Sequence, residues 1–345
     1  METSNRLKIL NVLGGSREGG AEKFFERISL AFSKEKNVDL ELIIRKNSNR
    51  YKRLNSEIKK IHQINFFYFF NPFCHNKINE IYEKFKPDIV LSWMNRASRL
   101  LPNSKKYNCI NIGRMGGYYK IKNYVNCDYI ITNTIDLRNF VINKGWDSEK
   151  VEFIPNFVNE NTNKKLEIKS DKKILLCLGR FHKNKGIDIL LKAMTYISEF
   201  KLWIVGSGEE KQLYDEIVSR YNIKSKVDFF EWTDDISQFL NSANILICPS
   251  RHEPFGNVIV EAWAHRVPVI VSDTGGPKLL VKNAVNGLKF EKEDMFDLLK
   301  QIKLVESNSK LRKKIISNGY NEFKKRFSED LIIKKYLNFF YKVSK

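Results

Sequence analysis

The chain has few cysteines and no long apolar run. Five cysteines occur in 345 residues and none forms a Cys-x-x-Cys pair, so we expect reduced core thiols rather than a disulfide or zinc framework. No apolar stretch approaches the roughly 18 residues that a transmembrane helix needs. The first apolar run, Arg6–Leu13, is too short and too soon followed by glycine for a signal peptide, and it favours a strand. A cytoplasmic protein is therefore predicted.

Acidic residues are outnumbered by basic ones. The chain has 60 Lys and Arg against 40 Asp and Glu, a formal net charge of +20. This excess predicts attraction to nucleic acid, an acidic membrane surface or phosphorylated substrates, although a solvated lysine-rich surface explains it equally well. Nucleic acid is the weakest of these partners, because the sequence shows no DNA- or RNA-binding motif.

Short apolar runs alternate with amphipathic, helix-like segments along the chain. Near-continuous apolar runs are typical of parallel strands buried on both faces, and repeated strand–helix–strand order favours parallel α/β sheets. The predicted strands form two series: 9–13, 40–44, 89–92, 109–112, 129–132 and 151–154, then 174–178, 202–205, 227–230, 245–248 and 267–271.

The two series predict two doubly wound domains, for which 345 residues are sufficient. The first domain is placed at 1–157 and the second at 173–327, and the polar segment 158–172 between them is predicted to be a linker. The segment 328–345 has helical spacing and several aromatic residues, so it is expected to pack as a helix against a domain.

A glycine-rich loop, Gly14–Glu22, follows the first predicted strand. Glycines there let backbone N–H groups approach an anion closely. The loop has neither G-x-G-x-x-G spacing nor a Walker Lys-Ser/Thr, which disfavours a dinucleotide-dependent oxidoreductase and a P-loop ATPase. A tight turn without a ligand explains the loop as well.

Two cations lie in the loop that follows the first strand of the second series. Arg180 and Lys185 stand where open α/β sheets bind ligands, beyond the carboxyl end of a strand. A guanidinium fork and a compact ammonium together suit a diphosphate. The alternative is a solvated loop.

The stretch Arg251–Glu261 places two acids around a predicted helix start. Glu253 lies on the loop and Glu261 on the helix. A helix start presents unpaired N–H groups and a partial positive charge, which favour a phosphate. Because carboxylates on either side suit the hydroxyls of a sugar and a ribose, a sugar-nucleotide ligand is predicted. The turn Ser272–Pro277 predicts a second helix N-terminus at the same edge.

In their order along the chain, these motifs resemble the retaining GT-B glycosyltransferases of family 4. The resemblance is specific over nearly the whole second half and looser in the first. It is carried by Gly19-Gly20-Ala21-Glu22, Gly179-Arg180, Lys185-Gly186, Val205-Gly206-Ser207-Gly208, Glu253-Pro254-Phe255-Gly256 through Glu261, Ser272-Asp273-Thr274-Gly275-Gly276 and Asn286-Gly287.

The resemblance implies two Rossmann-like domains that face a cleft, with the terminal helix crossing back to the first. It implies transfer from a nucleoside-diphosphate sugar without a metal or other cofactor, and same-face attack rather than the carboxylate nucleophile of retaining glycosidases. Arg180 and Lys185 would hold the diphosphate, and Glu253 would contact the sugar as the third catalytic residue. Further donor contacts are implied for Gly20, Gly179, Gly206, Phe255, Gly256, Asn257, Val258 and Glu261.

On the acceptor side the chain departs from the family pattern. Many members carry a histidine after the strand that corresponds to 89–92, whereas here Trp93 or Asn95 occupies that region. Arg114 lies where acceptor contacts are expected and is a candidate for binding an acidic or phosphorylated acceptor. The leading hypothesis is a glycosyltransferase acting on a growing surface glycan or glycolipid of the lipopolysaccharide type. A sugar-nucleotide epimerase and a non-catalytic module that binds anionic surfaces are the alternatives.

The region 45–73 combines basic and aromatic residues. Its cations face only Glu57 in the sequence, and Phe66–Phe70 follows. This pattern suits peripheral binding to an anionic membrane, here the inner face of the plasma membrane. An ordinary core strand beside a solvated basic helix is the alternative. The cations are Arg45, Lys46, Arg50, Lys52, Arg53, Lys59 and Lys60.

Overall fold

The computed structural model describes residues 6–15, 19–66, 72–159, 170–233 and 235–344. The chain forms two compact units. The first unit runs to Asn156 and includes the chain again from Glu329, and the second spans Phe157–Ser328.

The first unit is built on a parallel sheet of seven strands within the described residues, in the order β3-β2-β1-β4-β5-β6-β7. The strands are β1 Leu7–Leu13, β2 Val38–Arg45, β3 Ile61–Ile64, β4 Ile89–Trp93, β5 Ile110–Met115, β6 Tyr129–Thr132 and β7 Val151–Phe153. The α-helices between them are α1 Gly20–Ser33, α2 Ser48–Asn55, α3 Pro72–Phe85, α4 Met94–Leu100, α5 Ser104–Tyr107 and α6 Ile135–Asn143, with 3₁₀ turns at Ile121–Tyr124 and Ser148–Lys150.

The second unit contains a parallel sheet of six strands, counted over its described part, in the order β10-β9-β8-β11-β12-β13. Its strands are β8 Lys173–Leu178, β9 Phe200–Val205, β10 Val227–Phe230, β11 Ile245–Cys248, β12 Val269–Ser272 and β13 Leu288–Phe290. Its α-helices are α7 Ile187–Ala193, α8 Lys211–Arg220, α9 Ser237–Ser242, α10 Asn257–Ala264, α11 Gly275–Leu280, α12 Met295–Ser307 and α13 Ser309–Arg326, with 3₁₀ turns at Lys183–Lys185, Met194–Tyr196 and Lys224–Lys226.

The last helix, α14 Glu329–Val343, belongs to the first unit. Its buried aromatic residues pack on α1, where Phe32 lies 5.9 Å from both Tyr336 and Phe340 between ring centroids. These edge-to-face and tilted contacts bury the aromatic stripe of the terminal segment.

Burial explains why the strands form where they do. All five residues of β4 and all four of β11 are buried, as expected for central strands covered by helices on both faces. The two parallel sheets confirm the prediction of two doubly wound domains.

The sequence did not predict two of the strands, β3 and β13, and the boundary between the two units differs from the predicted domain boundary. β3 is an edge strand with one fully buried residue, and β13 has only three residues, so neither has a long apolar run. Phe157 and Val158 are buried in the second unit, although the prediction placed 157 in the first domain and began the linker at 158. Most of the predicted linker, 160–169, lies outside the described residues.

Candidate active site

Both predicted catalytic loops of the second unit meet at one point of its sheet. β8 and β11 are adjacent although they are not consecutive in the chain, so the strand order reverses between them. Open α/β sheets bind ligands beyond the carboxyl ends of their strands at this switch point. The loop after β8 carries Arg180 and Lys185, and the loop after β11 carries Glu253.

Lys185 and Glu253 form an ion pair across the switch point. The ammonium donates a hydrogen bond to Oε2 of Glu253, and the side chains are 29% and 14% exposed. Burial on its own lowers the pKa of Lys185, but the Glu253 carboxylate outweighs burial and holds this pKa above the usual lysine value. Lys185 therefore keeps its charge at neutral pH and lies beside Glu253.

Two glycines allow the loops to approach this closely. Gly186 has a φ of +61°, and a Cβ there would lie 2.1 Å from the carbonyl oxygen of Pro249. Gly275 has a φ of +46°, and a Cβ there would lie 2.5 Å from the carbonyl oxygen of Glu253. Only glycine tolerates both the left-handed backbone and the contact. These residues bring the turns after β8 and β12 against the loop that carries Glu253.

The turn after β12 supports the loop that carries Glu253. Gly276, the second residue of α11, donates its N–H to the carbonyl oxygen of Glu253 at 2.7 Å. The predicted second helix N-terminus thus has one of its first N–H groups committed to the protein backbone, which orients Glu253.

Arg251 joins the two catalytic loops, a role that sequence reasoning missed. Its guanidinium donates two hydrogen bonds of 2.8 Å to the Asp188 carboxylate and a third of 2.8 Å to the carbonyl oxygen of Lys183. A fourth reaches Glu293 at 2.5 Å, and the Arg251 N–H donates to the carbonyl oxygen of Asn184 at 2.8 Å. Burial alone would raise the pKa of Asp188, but the Arg251 hydrogen bonds and charge hold it below its usual value. The pair fixes the loop of Glu253 against the start of α7.

The helix α10 begins directly after the Glu253 loop. Its N-cap is Gly256 with a φ of +93°, which supplies no side-chain cap for the first turn. A glycine at this position leaves the first-turn N–H groups without a capping side chain from the N-cap residue. Phe255 is buried against Phe327, and Asn257 and Val258 are half-buried in the first turn.

Glu261 lies further along α10 and is 8% exposed. Its carbonyl oxygen accepts a hydrogen bond from Nδ1 of His265 at 2.7 Å. Glu253 therefore lies on a loop before the Gly256 turn, and Glu261 lies on the helix after it. In these positions the two carboxylates can accept hydrogen bonds from two separate hydroxyl-bearing groups.

The remaining predicted residues of the second unit lie at the ends of β8 and β9. Gly179 donates its N–H to Val205 at 3.1 Å, and Gly206 donates to Phe230 at 3.0 Å. The stem of Lys185 passes beside Gly179, and the Arg180 side chain is exposed. Across the described ranges, no group of three or more His, Cys, Asp or Glu side chains is placed to hold a metal ion.

Comparison with known proteins identifies the second unit. Residues 158–322 match the family model "Glycosyl transferases group 1". The second unit therefore carries a group 1 glycosyltransferase domain.

Proteins of similar sequence or structure align with almost the whole length of the transferase. It is 29% identical over 329 residues to the lipopolysaccharide core biosynthesis glycosyltransferase LpsE of Rhizobium meliloti, covering 93% of this chain and 95% of LpsE. A glycosyltransferase structure from Rickettsia africae matches with a TM-score of 0.86 at 22% identity, covering 99% of both chains. HepE of Anabaena in complex with UDP-glucose matches with a TM-score of 0.81 at 19% identity, covering 96% of this chain and 100% of HepE. These two structures share the transferase fold.

In the first unit, the structure places Gly20 and Asn95 at the carboxyl edge of the sheet. Gly20 is the exposed first residue of α1, after β1. Asn95 follows β4 in α4, and its Oδ1 is buried without a hydrogen-bond partner among the described residues. Residues 16–18 of the glycine-rich loop lie outside those residues.

Arg114 does not face an acceptor surface. It is 2% exposed and donates hydrogen bonds to Tyr336 at 2.7 Å, Asn156 at 2.6 Å and Met115 at 2.8 Å. Its guanidinium also lies over the rings of Phe24 and Trp93, at 5.6 and 5.5 Å. These contacts tie β5 to α14 and α1 within the first unit.

Acids from outside the basic region balance part of its charge. Arg50 and Arg53 both pair with Glu26, at 2.9 and 2.8 Å, and Lys60 pairs with Glu41 at 2.8 Å. These acids lie on α1 and β2, outside the region 45–73, so a count of charges within the region could not find them. The predicted aromatic run at 67–70 lies outside the described residues, as does residue 71. Within the described ranges, the transferase has no helix with the length and hydrophobicity to cross a bilayer.

Proposed function

We propose that the chain transfers a sugar from a nucleoside-diphosphate donor to a surface glycan or glycolipid of the lipopolysaccharide type. The observation that carries the proposal is the Lys185–Glu253 pair at the switch point of the second sheet, beside the start of α10. HepE, which shares the fold, was solved with UDP-glucose, and LpsE acts in lipopolysaccharide core biosynthesis. Both names support this donor class and this acceptor class.

Lys185 and Glu253 can bind the diphosphate and the sugar of the donor while the hydrogen bond between them stays in place. An ammonium has three N–H bonds, and Lys185 directs one at Glu253, so two can reach diphosphate oxygens. A carboxylate accepts several hydrogen bonds, so Glu253 can bind a sugar hydroxyl while it holds Lys185. Arg180 supplies the second cation for the diphosphate, and the backbone from Phe255 to Val258 contacts the phosphates and the sugar.

The departing nucleoside diphosphate gains negative charge in the transition state. Lys185, Arg180 and the start of α10 are preorganised to stabilise this charge, which is the electrostatic effect that commonly contributes most to catalysis. We therefore propose a reaction that needs no metal. Glu253 positions the sugar and favours an oxocarbenium-like state, Glu261 binds the ribose, and Gly20 contacts the phosphates. The acceptor attacks from the face that the diphosphate leaves, and the anomeric configuration is retained.

The first unit is proposed to bind the acceptor, with Asn95 as a contact. Anionic membrane binding remains a prediction for residues 45–73, where Lys46, Lys52 and Lys59 are exposed and Phe73 is 81% exposed. A cytoplasmic enzyme on the inner face of the plasma membrane fits this assignment.

A donor screen tests the proposed function. Thermal unfolding is measured with a panel of UDP-, GDP- and ADP-sugars, because a bound donor raises the apparent stability by mass action. At least one donor is expected to raise Tm and to support transfer in EDTA, and proton NMR of the product should show the donor's anomeric configuration. Lack of any donor response, or strict metal dependence, contradicts the proposal. Epimerised donor in a reaction without acceptor would favour the epimerase alternative.

A further inference from the structure

The turn that carries Lys185 is held by the residue that precedes it. Lys183–Lys185 forms a 3₁₀ turn after β8, and His182 is its N-cap. Nδ1 of His182 accepts a hydrogen bond from the N–H of Asn184 at 3.0 Å. The carbonyl oxygen of His182 accepts another from the N–H of Lys185 at 2.8 Å. The N–H groups of two consecutive peptide units in the turn are therefore both bonded to His182.

The carbonyl oxygens of the same two peptide units are bonded to the loop that carries Glu253. That of Lys183 accepts a hydrogen bond from the Arg251 guanidinium at 2.8 Å. That of Asn184 accepts the N–H of Arg251 at 2.8 Å and the N–H of His252 at 3.1 Å. Because a peptide unit is planar, with its N–H and C=O on opposite sides, rotation of either unit would break hydrogen bonds to both neighbours. The turn is thus fixed between the His182 residue and the Glu253 loop.

The ring of His182 also approaches the loop that follows β9. Because Nδ1 is an acceptor, the neutral imidazole carries its proton on Nε2. Nε2 lies 3.6 Å from Oε1 of Glu209, which belongs to that loop. The backbone joins the same two loops, since the N–H of Phe181 donates to the carbonyl oxygen of Ser207 at 2.8 Å. His182 therefore lies where the loops after β8 and β9 meet, and it contacts the loop after β11 through the turn.

Loss of the Nδ1 acceptor would disturb the geometry of the site more than the stability of the fold. The His182 side chain is 34% exposed, so water can reach the N–H of Asn184 once the ring is removed. The peptide unit before Asn184 would then be held only at its carbonyl end and could rotate. Because the ammonium of Lys185 lies at the end of a flexible four-carbon stem, a shift of the turn changes where it meets a ligand.

We propose that His182 is a positioning residue of the donor site, whose Nδ1 holds the turn so that the Lys185 ammonium meets the donor diphosphate and Glu253 together. The assignment deepens the proposed function and rests on it. His182 acts through Lys185 and needs no contact of its own with the donor.

Titration calorimetry with the nucleoside diphosphate that binds best in the donor screen tests this role. His182→Ala removes the acceptor and should weaken binding about five- to tenfold. His182→Asn supplies the side-chain oxygen of a favoured N-cap residue and should bind within about twofold of the wild type. If His182→Ala fails to fold, His182→Gly removes the same acceptor with a residue that is tolerated as an N-cap.

The control is the loss of a cap elsewhere in the second unit. Asn308 is the N-cap of α13, and its side chain accepts the N–H of Leu311 at 2.9 Å. Asn308→Ala and His182→Ala should each lower Tm by about 2–4 °C, because each removes one capping hydrogen bond. Only His182→Ala should weaken nucleoside-diphosphate binding.

A double-mutant cycle shows whether His182 acts through Lys185. Lys185→Met should weaken diphosphate binding about tenfold or more. Adding His182→Ala to this variant should weaken it no further, because the ammonium that the turn positions is already gone. Independent contributions would instead multiply, and the double variant would lose a further five- to tenfold, about the full effect of His182→Ala alone.

Three results would overturn the role of His182. The first is wild-type affinity in His182→Ala, and the second is an Asn variant that binds as weakly as the Ala variant. The third is a double variant in which the two losses multiply, since His182 would then act independently of Lys185. A wild type that binds no nucleoside diphosphate contradicts the proposed function itself, and this is seen before any variant is compared.

Discussion

Replacing Arg251 by methionine should damage both stability and turnover. The substitution keeps an apolar stem in place of the arginine stem but removes the hydrogen bonds to Asp188, Lys183 and Glu293. Asp188, which is 16% exposed, would be left as a poorly compensated carboxylate at the start of α7. The loop that carries Glu253 would keep the Lys185–Glu253 pair but lose its side-chain hydrogen bonds to Lys183 and Asp188.

The size of the effect follows from burial. Removing one partner of a fully buried pair costs about 3–5 kcal/mol, and an exposed pair contributes about 0–1 kcal/mol. Arg251 is 27% exposed, so its pair lies between these limits. We expect the free energy of unfolding to fall by about 2 kcal/mol. Because a displacement near 1 Å can cost on the order of 100-fold in rate, kcat/KM should fall about 10- to 100-fold.

Urea denaturation and steady-state transfer kinetics measure both effects, with Arg99→Met as the control for losing a charge. The double variant Arg251→Met/Asp188→Asn should regain part of the stability, because it no longer contains the uncompensated carboxylate. The reasoning is refuted if Arg251→Met matches the control in stability and kcat/KM, or if the second substitution destabilises the protein further.

Three other substitutions test separate parts of the structure. Gly186→Ala should lower the free energy of unfolding by about 2–4 kcal/mol, because of left-handed strain and overlap with Pro249. The control Gly145→Ala has a φ of +98° and no atom within 4 Å of its Cβ, so it should cost only the strain. Equal costs in the two variants would contradict the overlap with Pro249. Arg114→Met should destabilise the protein by about 3 kcal/mol with an unchanged acceptor KM, whereas a raised KM at unchanged Tm would restore an acceptor role. Burial lowers the pKa of His265, so the stability from its neutral form is complete above pH 6.5 and is lost as pH falls towards the folded-state pKa. Tm measured from pH 7 to 5 should therefore fall less in His265→Gln than in the wild type, and identical slopes would argue against this titration.

The sequence was informative about elements whose determinants are local. Central strands such as β4 and β11 are continuous apolar runs because helices cover both of their faces. The turn at Gly256 and the acids on either side of it follow one another in the chain, so the loop-then-helix arrangement around Glu253 could be anticipated from order alone.

Contacts between distant segments could not be predicted in this way. Arg251 and Asp188 are 63 residues apart, and neither lies in a pattern that indicates its partner. Arg50 and Arg53 look unbalanced until the fold brings α1 and Glu26 beside them. Arg114 resembles a ligand-binding arginine in sequence because its partners, Asn156 and Tyr336, are 42 and 222 residues away.

The most direct test of the donor site is calorimetric titration of a nucleoside diphosphate and its sugar form into wild type, Lys185→Met and Glu253→Gln. Lys185→Met should weaken both ligands about tenfold or more, because both carry the diphosphate. Glu253→Gln should bind the nucleoside diphosphate at least as tightly as the wild type, yet lose the extra affinity for the sugar form and nearly all turnover. Unchanged diphosphate binding in Lys185→Met, or wild-type turnover in Glu253→Gln, would contradict the assignment of this pair to the donor.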